Sequence, residues 1–267
     1  MDTKTFDRFR SIVYEKSGIA IHPNKVSLVI ARVGKRMREL SIDDPKGYLK
    51  FVLADESGEE IVHLLDCIST NVTSFFREND HFDFFGRVLG ELAQAGHTRF
   101  RFWSAASSSG EEPYSMAMTI CDRLDGKAID AKVLATDIST RVLKKCAKGE
   151  YAEKSMATVP PHYRTRFFER SGRGDDASWL VREPVKRLVT FSRINLSQTP
   201  FPMKGPLDAI FCRNVMIYFD NTVRTRLLDE CFRLLRPGGY LFVGHAETLT
   251  GIISKFKAVA PSIYIKE

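Results

Sequence analysis

Three groups of side chains that could bind or position a ligand each follow a predicted strand. The first is a run of small residues, Ala105–Gly110, with two acids, Glu111–Glu112, directly after it. A backbone without bulky side chains lets a ligand lie against it, although the same run also suits a tight turn that binds nothing. The second group is Asp137 and the third is Arg213–Asn214. Because ligands of open α/β sheets bind beyond the carboxyl ends of the strands, we expect one shared site.

The elements that must position these groups alternate between strands and helices from residue 99 onward. Arg99–Trp103 alternates polar and apolar residues, and Leu207–Cys212 is largely apolar, as strands require. The predicted strands are 99–104, 131–135, 207–212, 240–244 and 262–266, and the predicted helices between them are 112–124, 139–147 and 221–235. This order predicts an α/β fold with a mostly parallel, Rossmann-like sheet.

The start of the chain has a different pattern, which predicts an all-helical domain, residues 1–72, ahead of a larger domain, residues 73–267. Apolar residues recur there at helical spacing, and no strand pattern occurs before residue 99. The segment 69–79 joins the two domains, either as a plain linker or as a stretch that crosses the ligand site. Residues 151–190 break the alternation and predict a small antiparallel β insertion with a glycine-rich loop, Gly172–Gly174.

The second helix of the N-terminal domain has one strongly basic face. Its cations include Arg32, Arg36 and Arg38, together with Lys25 and Lys35. A run of this kind is often only a solvated helix face. Because guanidinium groups pair bidentately with carboxylates, the alternative is a docking surface for an acidic partner.

The composition argues against several classes of protein. A net charge of +7 on 267 residues points to an acidic partner or to nucleic acid. The five cysteines have no CxxC spacing and the six histidines form no ligand-spaced pair, so we expect reduced thiols and no metal site. No apolar run is long enough for a membrane span, and the polar N-terminus is unlike a signal peptide. We therefore expect a cytoplasmic protein without direct membrane insertion.

The turn Arg236–Gly239 and the absence of a GxGxxG fingerprint favour the seven-stranded fold that binds S-adenosylmethionine (SAM). Nearly the whole chain also resembles the CheR family, the chemotaxis receptor methyltransferases. Four segments carry this resemblance: Asn71–Glu78, Trp103–Tyr114, Ala135–Ile138 and Phe211–Asp220. The resemblance implies SAM-dependent methylation of glutamate side chains on membrane chemoreceptors, which gives γ-methyl esters and S-adenosylhomocysteine.

The resemblance also implies roles for individual residues. Asp137 would hold the ribose of SAM, Asn195–Leu196 would lie near the adenine, and Tyr218 would face the transferred methyl group. The residues expected at the cofactor are Asn71, Thr73, Arg77, Ala106, Glu112, Asp137, Asn195, Leu196, Arg213 and Asn214.

Two partner surfaces follow from the same resemblance. The basic face with Arg32, Arg36 and Arg38 would meet the acidic, helical cytoplasmic region of the receptor. In some members of the family the β insertion binds a C-terminal receptor tether, and the Gly172–Gly174 loop would take that role here.

The expected chemistry needs no general base. A glutamate carboxylate is already an anion at pH 7, and the expected site residues contain no His/Asp or Cys/His pair. The site must instead align the carboxylate and exclude water. We hypothesise that Arg77, Tyr218 or both orient it. The alternatives are that Arg77 pairs structurally with Glu78 or Asp80, and that Tyr218 is a core aromatic beside Phe219.

Two alternative functions agree less well with the sequence. Methylases of nucleic-acid amines carry an Asn/Asp-Pro-Pro-aromatic motif after the fourth strand, whereas Arg213–Tyr218 contains no proline. We therefore expect no nucleic-acid partner. A docking module that retains SAM only for stability remains a second alternative, although every expected site residue is present.

Overall fold

Four helices build the first part of the chain. The computed structural model describes residues 1–69, 72–172, 177–249 and 255–267. The helices are α1 (Thr3–Ser17), α2 (Val26–Glu39), α3 (Pro45–Ala54) and α4 (Glu59–Ile68). The Asp2 carboxylate caps α1 by accepting from the amide of Thr5, and Gly18, with a φ of 72°, ends it. Phe9, Tyr48 and other apolar side chains fill the core between these helices.

A seven-stranded sheet forms the larger domain, which confirms the predicted α/β fold. The strands are β1 (Arg99–Ser104), β2 (Asp130–Asp137), β6 (Val189–Arg193), β7 (Leu207–Cys212), β8 (Leu235–Val243), β9 (Lys257–Ala260) and β10 (Ile263–Ile265). Their order is β6-β2-β1-β7-β8-β10-β9. The first five strands of that order run parallel, and β10 pairs antiparallel with both β8 and β9.

Helices cover both faces of this sheet, as parallel strands require. They are α5 (Asn79–Gln94), α6 (Glu111–Arg123), α7 (Thr140–Lys148) and α10 (Asn221–Leu234). One apolar core contains Phe85 and Phe211, and a second contains Trp103 and Leu227. None of the helices in the described part of the chain combines the length and apolar character that a membrane-spanning helix needs.

The region 151–190 contains the predicted antiparallel sheet, but its far boundary differs from the prediction. A three-stranded sheet has the order β3 (Glu150–Ala152), β5 (Ser178–Val181) and β4 (Phe168–Ser171), with α8 (Pro161–Phe167) before β4. The short apolar piece at 187–191, predicted in the insertion, instead follows α9 (Glu183–Lys186) and lies in β6. Parallel pairing of Val189 with Val133 makes β6 the edge of the main sheet.

The C-terminal strands also depart from the sequence pattern. The predicted turn Arg236–Gly239 lies inside β8, where the register with β7 shifts between Leu207 and Ala209. Strand β9 was not predicted, because its residues are mostly exposed and lack a buried alternate face.

Candidate active site

A cleft opens beyond the carboxyl ends of the parallel strands and includes about 910 Å³ of empty space, part of it open to solvent. The N-terminal helices close one side of it through Ser17, Ile19 and Ser69. Of the expected site residues, those that line the cleft are Thr73, Arg77, Ala106, Glu112, Asp137, Asn195, Leu196, Arg213, Asn214 and Tyr218. Asn71 lies outside the described residues.

The small-residue loop after β1 is held by backbone hydrogen bonds. The Ala105 amide donates to the carbonyl of Phe211, and the Ser107 amide donates to that of Thr136. Gly110 has a φ of 99°, and a Cβ there would lie 2.6 Å from the Tyr151 hydroxyl oxygen. Only glycine therefore fits between the loop and the β insertion.

Asp137 ends β2 and ties this loop to the start of α7. One carboxylate oxygen accepts from the Ser108 amide at 3.0 Å, and the other accepts from the Ser139 amide at 3.0 Å. Burial raises the pKa of Asp137 to about 6, although these two hydrogen bonds oppose the shift. Each oxygen has a second lone pair beyond these bonds, and Asp137 lines the cleft.

Arg213 is the centre of a buried charge cluster at the end of β7. Its side chain is 1% exposed. Its guanidinium donates to Glu78 Oε2 at 2.9 Å, to Glu112 Oε2 at 3.1 Å and to the Arg77 carbonyl. Glu112 also accepts from the Ser104 hydroxyl at 2.7 Å. Two carboxylates thus share one cation on the wall of the cleft, and burial raises the pKa of Glu112 although Arg213 opposes the shift.

Glu78 is a residue of this cluster to which we assigned no function from the sequence. It has a φ of 56°, and its carboxylate also accepts from the Asn214 side chain at 3.4 Å and the His245 amide at 3.2 Å. Burial alone would raise the pKa of Glu78, but the hydrogen bonds and charge of Arg213 lower it. The sequence feature that could have identified Glu78 as a site residue was its position directly after Arg77 in the segment 69–79.

Glu247 is a second acid that the sequence did not single out. Its buried carboxylate accepts from the amides of Asn214 at 2.7 Å, Gly244 at 2.8 Å and Ile217 at 3.1 Å. Burial raises its pKa. The carboxylate therefore fastens the end of β8 to the segment that carries Asn214 and Tyr218.

The Asn195 side chain makes hydrogen bonds within the protein. Its amide donates to the Lys16 carbonyl at 2.8 Å, and its oxygen accepts from the Ser197 amide at 3.1 Å and hydroxyl at 2.8 Å. These bonds leave one Nδ2 hydrogen of Asn195 unused at the cleft lining, so the expected position near the adenine stays a prediction. Leu196 is buried and lines the cleft beside it.

Arg77 and Tyr218 both lie on the cleft wall. Arg77 donates to the Val72 carbonyl at 2.9 Å, and within the described ranges it makes no ion pair with Glu78, Asp80 or another carboxylate. Tyr218 is half-buried, and its carbonyl accepts from the Ala20 amide at 2.8 Å. The structural pairing considered for Arg77 is therefore not observed.

The fold and the cleft agree with the family comparisons. Residues 71–265 match the family described as "CheR methyltransferase, SAM binding domain", and residues 4–69 match the one described as "CheR methyltransferase, all-alpha domain".

The chain belongs to the CheR methyltransferase family.

Characterised relatives are similar over most of their length. The "Chemotaxis protein methyltransferase" of Salmonella typhimurium is 38% identical over 259 residues, covering 97% of this chain and 88% of that one. The protein with the same description from Escherichia coli is 36% identical over 259 residues, covering 97% of this chain and 89% of that one. The "Probable chemotaxis protein methyltransferase" of Rhizobium etli is 38% identical over 244 residues, covering 90% and 91%.

SAM is the cofactor of this CheR-family enzyme, and the cleft fits it. The loop Ala105–Gly110 presents backbone without bulky side chains, and Asp137 has acceptor capacity for two ribose hydroxyls. The carboxyl groups of Glu78 and Glu112 around Arg213 suit the ammonium group of a methionine moiety. Small residues and carboxylates, rather than an anion nest, are what a ligand without phosphate requires.

Three residues near the cleft have ligand atoms spaced as in a metal site, which the sequence did not anticipate. The ligand atoms of Glu78, His81 and His245 lie within 4.8 Å of one another. However, Arg213 already holds the Glu78 carboxylate, and burial lowers the pKa of His81 to about 4. A cation placed there would face the guanidinium, so the cluster is better explained as part of the Arg213 network.

The expected docking arginines of α2 have different environments. Arg36 pairs with the buried Glu60 at 2.6 Å, and Arg32 donates to the Ile68 carbonyl. Arg38 is exposed, as is Lys35. Two of the three arginines therefore help to hold the N-terminal helices together. Of the expected tether loop, Gly172 is described, while residues 173 and 174 lie outside the described residues.

Proposed function

We propose that this protein transfers the methyl group of SAM to glutamate side chains in the cytoplasmic helical region of chemoreceptors. The observation that carries the proposal is the position of Arg77. It lines the cleft without an ion pair among the described residues, so its guanidinium is available for a carboxylate that enters from outside. Bound SAM supplies a methyl group on a positively charged sulfur, which a carboxylate anion can accept.

The protein's own task is to position an anion, not to remove a proton. Glutamate is ionised at pH 7, so the acceptor oxygen needs no base. Arg77 holds one carboxylate oxygen, and Tyr218, which also lines the cleft, orients the group. Positioning of this kind contributes about 7–11 kcal/mol to barrier lowering in favourable cases. Arg213 does not take this role, since Glu78 and Glu112 already neutralise it.

The rim of the cleft suits a helical substrate. Val72 is 74% exposed and Ile217 is 48% exposed, beside Arg77 and Tyr218. Apolar residues at the rim would cover the aliphatic part of the substrate glutamate and help to exclude water.

The exposed face of α2 extends this surface. Leu28 and Ile30 are 43% and 37% exposed, and they share the helix with the exposed cations Lys35 and Arg38. An acidic helix with some apolar residues complements such a face. We place receptor docking on Lys35 and Arg38, and assign Arg32 and Arg36 a supporting role within the N-terminal domain.

A receptor tether would bind at the β insertion. Strand β4 is an outer strand of the three-stranded sheet and leads into the loop that begins at Gly172. An extended peptide can add to such an edge by backbone hydrogen bonds.

The test is transfer of labelled methyl groups from SAM to purified receptor cytoplasmic fragments, with and without their C-terminal tails. We expect a base-labile label on glutamate, which identifies a carboxyl ester. Arg77→Ala should lower kcat by about 100-fold, and Tyr218→Phe should lower it less, while both retain SAM affinity. Label on duplex DNA or RNA, or wild-type turnover in both variants, would refute the proposal.

A further inference from the structure

A second cleft lies at the edge of the seven-stranded sheet opposite the SAM site. It includes about 1280 Å³ of empty space, part of it open to solvent. The beginnings of β1, β2 and β7 form its walls, and the segment Met203–Pro206 closes one side. The two clefts share no lining residue, and the shortest stretch of strand between them is three residues, from Phe102 to Ala105 and from Leu134 to Asp137, or about 10 Å.

Cations dominate the lining of this cleft. The basic side chains are Arg99, Arg101, Lys132, Lys204 and Arg236, with His97 beside them. The lining contains one carboxylate, Asp208, which accepts from Arg236 Nε at 2.7 Å and from the Arg101 amide at 2.7 Å. The neighbouring Asp130 pairs with Arg101 and lies 3.8 Å from Arg99. The five cations outnumber the two carboxylates, Asp208 and Asp130, so the cleft has an excess of positive charge.

Several of these cations retain donors for a ligand. Lys204 is exposed and has no ion pair within the part of the chain that the structure describes. The Arg99 side chain is 74% exposed. The Nη2 atom of Arg236 is buried and has no hydrogen-bond partner among the described residues.

The floor of the cleft is apolar. Leu134 and Met203 are half-buried and provide its accessible apolar surface, whereas the side chains of Phe102 and Val133 are enclosed in a separate core cluster. A ligand that fits both parts carries several negative charges at one end and a flat, weakly polar ring at the other. Phosphate oxygens pair well with guanidinium groups, and a ring can lie against the apolar floor.

We propose that this cleft is a binding site for a nucleoside polyphosphate, with its phosphates on Arg99, Lys204 and Arg236 and its base on the floor. The site is distinct from the SAM cleft and does not use the residues assigned there. Because its binding is driven by several charge pairs at the surface, the affinity falls as salt concentration rises.

The test is calorimetric titration of GTP into the full-length protein after the SAM site has been saturated with S-adenosylhomocysteine. We expect GTP to bind, inorganic tripolyphosphate to bind at least 5-fold more weakly for lack of a base, and guanosine to give no signal. The double variant Lys204→Glu/Arg99→Glu should weaken GTP binding by at least 10-fold.

A matched variant controls for net charge. Lys127→Glu/Lys154→Glu makes the same charge change at exposed positions outside both clefts and should bind GTP like the wild type. S-adenosylhomocysteine affinity and melting temperature should be unchanged in both variants, which separates this proposal from the methyltransferase activity. Equal weakening in both variants, equal affinity for tripolyphosphate and GTP, or loss of GTP binding when S-adenosylhomocysteine is present would each overturn the proposal.

Discussion

Arg213 shows how a single residue can organise a site without touching the substrate. Its guanidinium joins the linker residue Glu78 to the α6 residue Glu112, and its plane lies near the rings of Phe82 and Phe211. The two acids need the cation, because an unpaired buried carboxylate is costly. The linker is thereby fixed against the sheet, and Arg77, one residue before Glu78, is held at the cleft.

Replacing Arg213 with methionine should therefore disrupt the contacts of the site and also destabilise the folded protein. We expect Arg213→Met to lower the free energy of unfolding by about 3–5 kcal/mol, because Glu78 and Glu112 lose their counter-charge. Urea denaturation measures the change. Arg226→Met, at an exposed position of α10, should cost less than about 0.5 kcal/mol. Equal losses in the two variants would show that the cluster contributes nothing specific.

Asp137 should give the folded protein a characteristic pH dependence. Its pKa is about 6 when folded, compared with a reference value of 3.8. Between these values the folded state binds more protons than the unfolded state, so the free energy of unfolding falls as the pH rises from about 4 to about 6. The full loss is about 3 kcal/mol.

Comparison with Asp137→Asn isolates this contribution. The variant has no titrating group at this position. The difference in the free energy of unfolding, variant minus wild type, should therefore increase as the pH rises from about 4 to about 6. Urea titrations at several pH values measure the difference. Parallel pH profiles for the two proteins would mean that Asp137 has an ordinary pKa in the fold.

At the scale of elements, the site depends on how the ends of β7 and β8 are joined. Glu247 accepts three amides there, and Gly244 has no room for a side chain, since a Cβ would lie 2.3 Å from Asn214 Nδ2. The segment between Asn214 and Tyr218 is therefore held in place by an acid from the turn after β8 rather than by its own sequence.

Glu247→Gln should disturb this junction. The new NH₂ group faces amide donors, so we expect a loss of about 1–3 kcal/mol in the free energy of unfolding and a lower kcat. The KM for SAM should change less than kcat, because Asp137 and the loop after β1 are untouched. Steady-state kinetics and urea denaturation test this, with Glu91→Gln, at an exposed position of α5, as control. A change confined to KM would contradict a role in placing Tyr218.

At the scale of the molecule, the helical N-terminal domain completes the cleft. The Tyr14 hydroxyl donates to the Asp220 carboxylate at 2.6 Å, and Arg141 pairs with Asp66 at 2.9 Å. Asn195 holds the end of α1 through the Lys16 carbonyl. These contacts keep the exposed face of α2 in a fixed position relative to the cleft, so docking and chemistry are geometrically linked.

Charge reversal on α2 should separate docking from cofactor binding. We expect Lys35→Glu/Arg38→Glu to lower kcat/KM for receptor fragments by at least 10-fold at low salt, with the loss shrinking as salt rises. Affinity for SAM should be unchanged. Lys127→Glu/Lys154→Glu provides the control of equal charge. A parallel loss of SAM affinity in the α2 variant would assign these residues a structural role instead.

The sequence by itself predicted most of the central strands and helices, and it placed the candidate ligand residues at strand ends that meet in one cleft. Periodicity placed β1 and β7 at their observed bounds, and the small residues before Glu111 predicted the loop beside the cleft. These features are local, because the spacing of apolar residues in a helix or a strand involves only residues that are close together in the sequence. The resemblance of four segments to one family then indicated the cofactor.

The tertiary structure decided which side chains remain available for ligands. Arg213 meets Glu78, which lies 135 residues away, and the Asn195 side chain meets Lys16, 179 residues away. No local pattern encodes such pairs, since they depend on how the chain returns to the same edge of the sheet. For the same reason, the basic face of α2 did not indicate that Arg36 would turn inward to Glu60. Burial and pairing, which are properties of the packed molecule, separate the residues that build the cleft from those left to meet a ligand.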